Sequence, residues 1–216
     1  MLAPRSSHSV LSFWFGCIIA DAEGRAGLST AAVISQLVPL WYMGGEAMDV
    51  GCRAFSDVIR ELKSDGLEEW ASTEGKLARM LLADQISRNA FRGTPEAFGY
   101  DDLALRLSQA LVSPAESADT MALPAALLSF VGLPLQHSEL LADHDAGVAL
   151  NAKQQAAYPG LPFFQQSSGF VTSHRDVVVR FGRYPHRNAQ CGRETTPEEQ
   201  AWLDDTENRP PWSKST

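Results

Sequence analysis

The sequence predicts a single all-α domain, and three observations carry that expectation. Points where helices can start recur along the chain, apolar residues between them return at three- and four-residue spacing, and strand-like alternation is nearly missing. Thr94-Pro95-Glu96 sets a capping residue before a proline at the first helical position, and Ser113-Pro114-Ala115-Glu116 repeats the pattern. Thr196-Pro197-Glu198-Glu199 adds a glutamate that completes a capping box. Val177-Val178-Val179 alone looks like a strand, and its neighbours do not alternate.

Taken in order, helices are expected over residues 7–15, 29–41, 46–64, 74–90, 95–112, 122–131, 137–156, 168–181 and 197–206. The first closes on Phe13-Trp14-Phe15-Gly16, three rings that suit a core-filling helix end. Those at 95 and 197 start at the caps named above, and the others rest on apolar spacing. No linker or fixed-period repeat divides the chain. Residues 1–207 therefore read as one domain, and residues 208–216, which include Asn208-Arg209-Pro210-Pro211, as a frayed tail.

The bulk numbers narrow the function classes. With 216 residues, 44% hydrophobic and 20% charged, the chain can bury a substantial core. A formal charge of −8 argues against a nucleic-acid or anionic-membrane surface spread over the molecule. Cys17, Cys52 and Cys191 form no close motif and are odd in number, which points to a reducing, cytoplasmic compartment. The run from Val10 to Ala20 loosely imitates a secretory signal, but its aromatic cluster fits a core helix better. No stretch approaches the ~20 apolar residues needed to span a bilayer.

Placing residues at about 100° per position exposes polar groups on apolar faces. In 74–90, Lys76, Arg79, Ala83 and Ser87 define the side expected to be wet, and Leu77, Met80 and Leu81 the opposite side. Asp84 and Arg88 fall on the apolar side. Buried there, each charge must be paired or it costs several kcal/mol, so the pair is either a structural clamp or one wall of a site. In 137–156, His137 and His144 share the stripe of Leu141 and Val148, while Glu139 and Asp143 point to solvent. Seven residues of separation, ~10 Å, is too far for the two histidines to share a metal comfortably. His174 sits among Phe170, Val177, Val178 and Phe181. Three histidines directed inward, with Asp84 and Arg88, point to a shared interior pocket.

Residues 174–193 hold five arginines, at 175, 180, 183, 187 and 193, against Asp176 alone, a local +4 in a chain of −8. Gly182 and Pro185 stop the preceding helix, leaving an ordered loop of a kind that is more often functional than idle. Guanidinium forks match carboxylate and phosphate. Arg183 and Arg187, with Arg88, are therefore candidate anion ligands, and His186 and Asn188 candidate donors. The structural alternative is that these arginines neutralise surrounding acids. No Walker loop, dinucleotide fingerprint, HExxH, nucleophile elbow or EF-hand loop is present, and neither a cofactor nor a metal is indicated.

Three stretches resemble a bacterial family catalogued as domain of unknown function 924. They are Leu11-Ser12-Phe13-Trp14-Phe15-Gly16, the run Leu82-Ala83-Asp84-Gln85-Ile86-Ser87-Arg88-Asn89-Ala90-Phe91-Arg92-Gly93-Thr94, and Arg180-Phe181-Gly182-Arg183-Tyr184-Pro185-His186-Arg187-Asn188. Leu133-Pro134-Leu135-Gln136-His137-Ser138-Glu139 resembles a fourth segment. The resemblance implies an all-α fold of antiparallel helix hairpins in a tetratricopeptide-like array, and it supplies no activity. Ala83 and Ser87 stand where the family usually carries leucine and proline, and Leu135-Gln136 replaces a bulkier pair. The missing proline implies a straighter helix before Arg88 and Asn89.

Two function classes follow. In a small-molecule hydrolase or transferase, Arg88, Asn89, Arg183, Arg187 and Asn188 would hold an anionic phosphate or carboxylate. His137, His174 or His186 would act as acid or base, oriented by Asp84. In a binding module, an arginine-lined concave surface would grip an acidic peptide. A purely structural role for the polar cluster is the third reading. Nucleic-acid binding ranks last because the acidic remainder of the chain opposes it, and the sequence is silent on oligomeric state.

Overall fold

The computed structural model describes residues 5–17, 19–64 and 66–214, and all regular structure among them is helical. The first segment forms α1 (Ser7–Phe15), α2 (Ala22–Gly27), α3 (Ala31–Met43), α4 (Gly45–Arg53) and α5 (Ser56–Glu61). The side chains of Ser6, Asp21 and Thr30 accept the N–H of Ser9, Gly24 and Val33, which explains where the first three begin. The helix expected over 46–64 is broken at Ala54-Phe55 and finishes in a 3-10 turn, Leu62–Ser64.

The centre is a rod of three pieces: α6 (Thr73–Leu81), a π-turn (Leu82–Ile86) and α7 (Ser87–Ala90). The missing proline does not leave a regular helix before Arg88, because the π-turn inserts an extra residue. The wet side expected at Ala83 and Ser87 is also corrected, since both are fully buried. Their small side chains let neighbours close in on the rod, against which α1, α4, α5 and α8 (Asp101–Val112) pack. The Ser87 hydroxyl donates to the Ala83 carbonyl at 2.7 Å, satisfying an acceptor that the widened turn releases.

The caps in the second half divide. Thr94-Pro95 opens only a 3-10 turn, Pro95–Phe98, and Ser113 closes α8 rather than opening a helix. Two short helices follow, α9 (Ser117–Met121) and α10 (Ala125–Leu128). The helix expected from 137 is two, α11 (Leu133–His137) and α12 (Leu141–Ala157), separated by extended backbone at Ser138. That break resets the helical phase. Within α12 the side carrying Leu141 and Val148 is the outer one, 42% and 41% exposed, while Asp143, expected in solvent, is buried on Ser138 and Gln109. Helix α13 (Pro162–Phe181) forms a long hairpin with α12 and also packs on α11 and α3. The capping box at Thr196 opens α14 (Pro197–Asp204) as expected.

The main core gathers Trp14, Phe15, Trp41 and Phe130 in edge-to-face contacts with centroids 4.7–5.8 Å apart. The Trp41 indole N–H donates to the Trp14 carbonyl at 2.9 Å, and Gly16 ends α1 in the left-handed region at φ 65°. A second cluster surrounds Tyr184, whose hydroxyl donates to the Gln136 carbonyl and whose N–H donates to Glu139 at 2.8 Å. The segment after Glu207, where fraying was expected, returns to this cluster. Trp212 stacks on His174 at 3.8 Å and contacts His186 edge-on, and Ser213 is buried. Residues 215 and 216 lie outside the described residues.

Burial holds both imidazoles neutral, pushing His174 down to about 3 and His186 down to about 4, with the Arg187 charge adding to each. The unfolded chain protonates them near 6.5, so folded stability is complete above that pH and declines as pH falls below it. We expect the urea midpoint to drop between pH 6.5 and 4.5, above most of the carboxylate range. His174→Phe, which keeps the stack, should flatten that slope. An unchanged slope in the variant would place the proton uptake elsewhere.

Candidate functional site

Asp84 lies on the π-turn with 1% of its surface exposed, a carboxylate among the buried Leu81, Leu82, Ala83 and Ile86. His137, the last residue of α11, donates from Nδ1 to its Oδ1 at 2.6 Å, and Gln85 donates to Oδ2 at 2.5 Å. Arg88 follows one turn later and uses a single Nη2 to reach Asp84 at 3.4 Å and Asp101, at the start of α8, at 2.9 Å. Four elements thus meet at one point: the π-turn, α7, α8 and α11.

The electrostatics separate the two carboxylates. Burial would raise Asp84, but the charge and hydrogen bond of His137, followed by Arg88, outweigh it and hold the carboxyl well below its usual range. Asp101 moves the other way, raised by burial against the pull of Arg88. Carboxylates driven apart in this way suit distinct acid and base roles.

Because Nδ1 serves Asp84, the lone pair of His137 falls on Nε2. That nitrogen bonds to no described residue, and the side chain is 23% exposed, so it is open to an incoming group. The surroundings carry two carboxylates against two guanidiniums, for Arg187 arrives from the 3-10 turn Pro185–Arg187 and donates from Nη1 to the His137 carbonyl at 2.8 Å.

The arginines differ sharply in partner. Arg175, Arg180, Arg183 and Arg193 hold Asp145, Glu198, Glu199 and Glu139, and Arg88 holds Asp84 and Asp101. Arg187 touches no carboxylate among the described residues; its guanidinium lies over the Tyr184 ring at 4.7 Å, and burial lowers its pKa. The negative charges of Asp101 and Glu139 act on it from beyond bonding distance.

The structure therefore brings together Asp84, Arg88, His137 and Arg187, and adds Asp101. Nothing in the sequence distinguishes Asp101 from Asp102 beside it, since both read as acids in a first helical turn. The other candidates lie apart. Arg183 grips Glu199 through two bonds of 2.6 and 2.8 Å, and Asn188 donates to the same carboxylate at 3.2 Å, so both fasten the loop to α14. Asn89 donates to the Gln85 carbonyl and accepts from Arg92, which is clamped on Asp49. His174 and His186 belong to the Tyr184 and Trp212 stack, and the His174 Nδ1 donates to the Phe170 carbonyl. His144 is buried, bonded to the Ser138 carbonyl, and Glu139, expected in solvent, is paired with Arg193. The cluster is half-buried, with Arg88, His137 and Asp101 keeping 22%, 23% and 30% of their side-chain surfaces exposed. A recess of about 130 Å³ beside Leu111, Met121 and Leu150, and an open hollow of about 570 Å³ beside Arg183 and Arg193, both lie away from it.

Among the described residues no group of His, Cys, Asp and Glu has a metal-holding arrangement, and no helix is long and apolar enough to cross a membrane. Comparison with known proteins gives two matches. The sequence profile of the family described as "Bacterial protein of unknown function (DUF924)" covers residues 10–207. A solved structure of a protein of unknown function, ATU0120 from Agrobacterium tumefaciens, is 32% identical with a TM-score of 0.64, covering 82% of this chain and 99% of that one. No curated protein matches the chain.

Asp84→Asn should cost about 3 kcal/mol at neutral pH, the scale for breaking a buried ion pair. The carboxyl is held low in the fold, so its contribution is present above its ordinary value of 3.8 and fades as pH falls. The difference between wild type and variant, read as urea midpoints, should therefore shrink below that pH. A pH-independent difference would remove the ionised Asp84 from this account.

Proposed function

The chain belongs to the bacterial family of unknown function DUF924, and we propose that this protein is a small-molecule enzyme acting on an anionic metabolite. In this reading Arg187 holds a phosphate or carboxylate and the Asp84–His137 pair supplies the acid or base. The observation that carries the reading is Arg187, a half-buried guanidinium that bonds to no carboxylate among the described residues and donates instead to the backbone of His137, the histidine that Asp84 holds. A guanidinium fork in that position matches a phosphate or carboxylate.

The role of each group follows from position. His137 Nε2 takes a proton from water or from a substrate hydroxyl, and the oxygen so activated forms its bond to the electrophilic phosphorus or carbon. The leaving group departs with the proton returned from the imidazole. Asp84 keeps Nδ1 protonated and steadies the imidazolium formed in between, a positional task of the kind a buried carboxylate performs. Asp101, whose carboxyl burial pushes up, is the second carboxylate on Arg88. Hydrolysis or group transfer suits this set. The tetratricopeptide-like kinship of the fold belongs to the same proposal, supported by the α12–α13 hairpin. So does a cytoplasmic setting, supported by the unpaired thiols of Cys17, Cys52 and Cys191.

The test is a thermal-shift titration with inorganic phosphate and small dicarboxylates. Wild type and Arg183→Ala should both be stabilised, each relative to its own melting temperature, because Arg183 already has Glu199. Arg187→Ala should lose the shift. At a ligand concentration of 100 times Kd the stabilisation is about 2.7 kcal/mol, which is several degrees for a domain of this size. Equal shifts in wild type and Arg187→Ala would remove the anion site. In parallel, any turnover found on a panel of phosphate and carboxylate esters should vanish in His137→Asn.

A further inference from the structure

We propose that Asp101 is a positioning residue: by holding the Arg88 guanidinium it keeps Asp84 for His137, and so fixes which imidazole nitrogen carries the proton. The inference rests on the acid–base reading above and names a further residue that this reading needs.

Two donors crowd one oxygen. His137 Nδ1 donates to Asp84 Oδ1 at 2.6 Å, and Arg88 Nη2 reaches the same atom at 3.4 Å. The two nitrogens stand 3.5 Å apart. With Nδ1 protonated toward Asp84 both are donors, so their approach is a contact between rivals and not a bond. A carboxylate oxygen has lone pairs for two donors, but the guanidinium can shorten its 3.4 Å bond only by pressing toward Nδ1. As a permanent cation it is the stronger donor of the two.

Asp101 draws the guanidinium the other way. Its Oδ1 accepts from the same Nη2 at 2.9 Å, the shorter of the two carboxylate bonds. Among the described residues only Asp84 and Asp101 accept from Arg88, and both do so through Nη2, while Nε is buried without a partner. The Phe98 ring, 4.9 Å from the guanidinium, supports one face and offers no acceptor to aim it. Arg187 secures the carbonyl of His137 and leaves the direction of the ring to Asp84.

The packing places Asp101 for this task. It is the first residue of α8, and α8 packs both on the π-turn that carries Asp84 and on α11, which ends in His137. Asp102 beside it is exposed. Both acids stand in the first turn, where either favours the helix dipole, but only Asp101 also reaches Arg88. Without Asp101, Arg88 closes on Oδ1 and His137 is released. An imidazole without that partner is free to carry its proton on Nε2, which removes the lone pair that the proposed base uses.

Nitrogen NMR spectra of the imidazole rings in the whole protein test this at a pH where His137 is neutral, since protonated and bare ring nitrogens resonate far apart. His137→Asn assigns the signals. Wild type should show the His137 proton on Nδ1. Asp101→Asn should lose that pattern and move the proton to Nε2, whereas Asp101→Glu should keep it. Asp102→Asn, which removes only a first-turn acid, should match wild type. Asp101→Asn combined with Arg88→Met removes the rival donor as well and should restore the proton on Nδ1. A merely structural Asp101 would leave the double variant further from wild type than the single one. In the unaltered protein, the Arg88 Nη2 protons should couple across the hydrogen bond more strongly to the Asp101 carboxyl carbon than to that of Asp84. A wild-type spectrum in Asp101→Asn, no recovery in the double variant, or the reverse order of couplings would overturn the proposal. The anion site is decided separately, by the phosphate shift of wild type against Arg187→Ala.

Discussion

A single buried carboxylate constrains this molecule more than any other group. Asp84 sits inside a rod whose neighbouring residues are almost wholly covered, where an unpaired charge would cost several kcal/mol. Its solution is to recruit partners from three directions: Gln85 beside it, Arg88 a turn ahead and His137 from a separate helix. Each partner then needs its own placement. The break between α11 and α12 leaves His137 at a helix end, where its carbonyl is unused by the helix and can accept from Arg187. The demand of one oxygen pair thus reaches the far loop.

The π-turn is the device that makes this possible. An ordinary helix through residues 73–90 would keep Ala83 and Ser87 on one side and give Asp84 a partly wet neighbour. Widening the turn over Leu82–Ile86 lets the rod bury itself all round, with the Ser87 hydroxyl completing the loosened carbonyl of Ala83. Such turns are often found where a side chain has been re-aimed for a task, and here the re-aimed side chain is the carboxylate that orients His137.

Most arginines of the last third of the chain are scaffolding. The exposed pairs Arg180–Glu198 and Arg175–Asp145 contribute on the order of 0.2–1 kcal/mol each, whereas Arg183, clamped on the buried Glu199, fastens the loop to α14. The acids that answer these arginines come from sequence positions 139, 145, 198 and 199, so no local count of charge could show which guanidinium would be left over. Of the five arginines in residues 174–193, Arg187 is the one that pairs with no described carboxylate and reaches the His137 carbonyl instead.

The sequence by itself determined the helical class, the capping box at Thr196, the aromatic end of α1 and the inward direction of Asp84 and Arg88. All four are local, decided within one or two turns by capping hydrogen bonds and by apolar periodicity. It misplaced Val148 and Asp143 because the side of α12 that carries Leu141 and Val148 faces out while Gln109 and Ser138 take up Asp143, and it misplaced Glu139 because Arg193 reaches it from a distant loop. Tertiary structure alone decided that His137 rather than His174 meets Asp84, that Asp101 joins them, and that Arg183 and Arg187 part company within one loop. Those outcomes depend on contacts between residues 13 to 53 positions apart, where the cost of burying a charge is settled by whichever partner the packing delivers, and chain-local preference has no say.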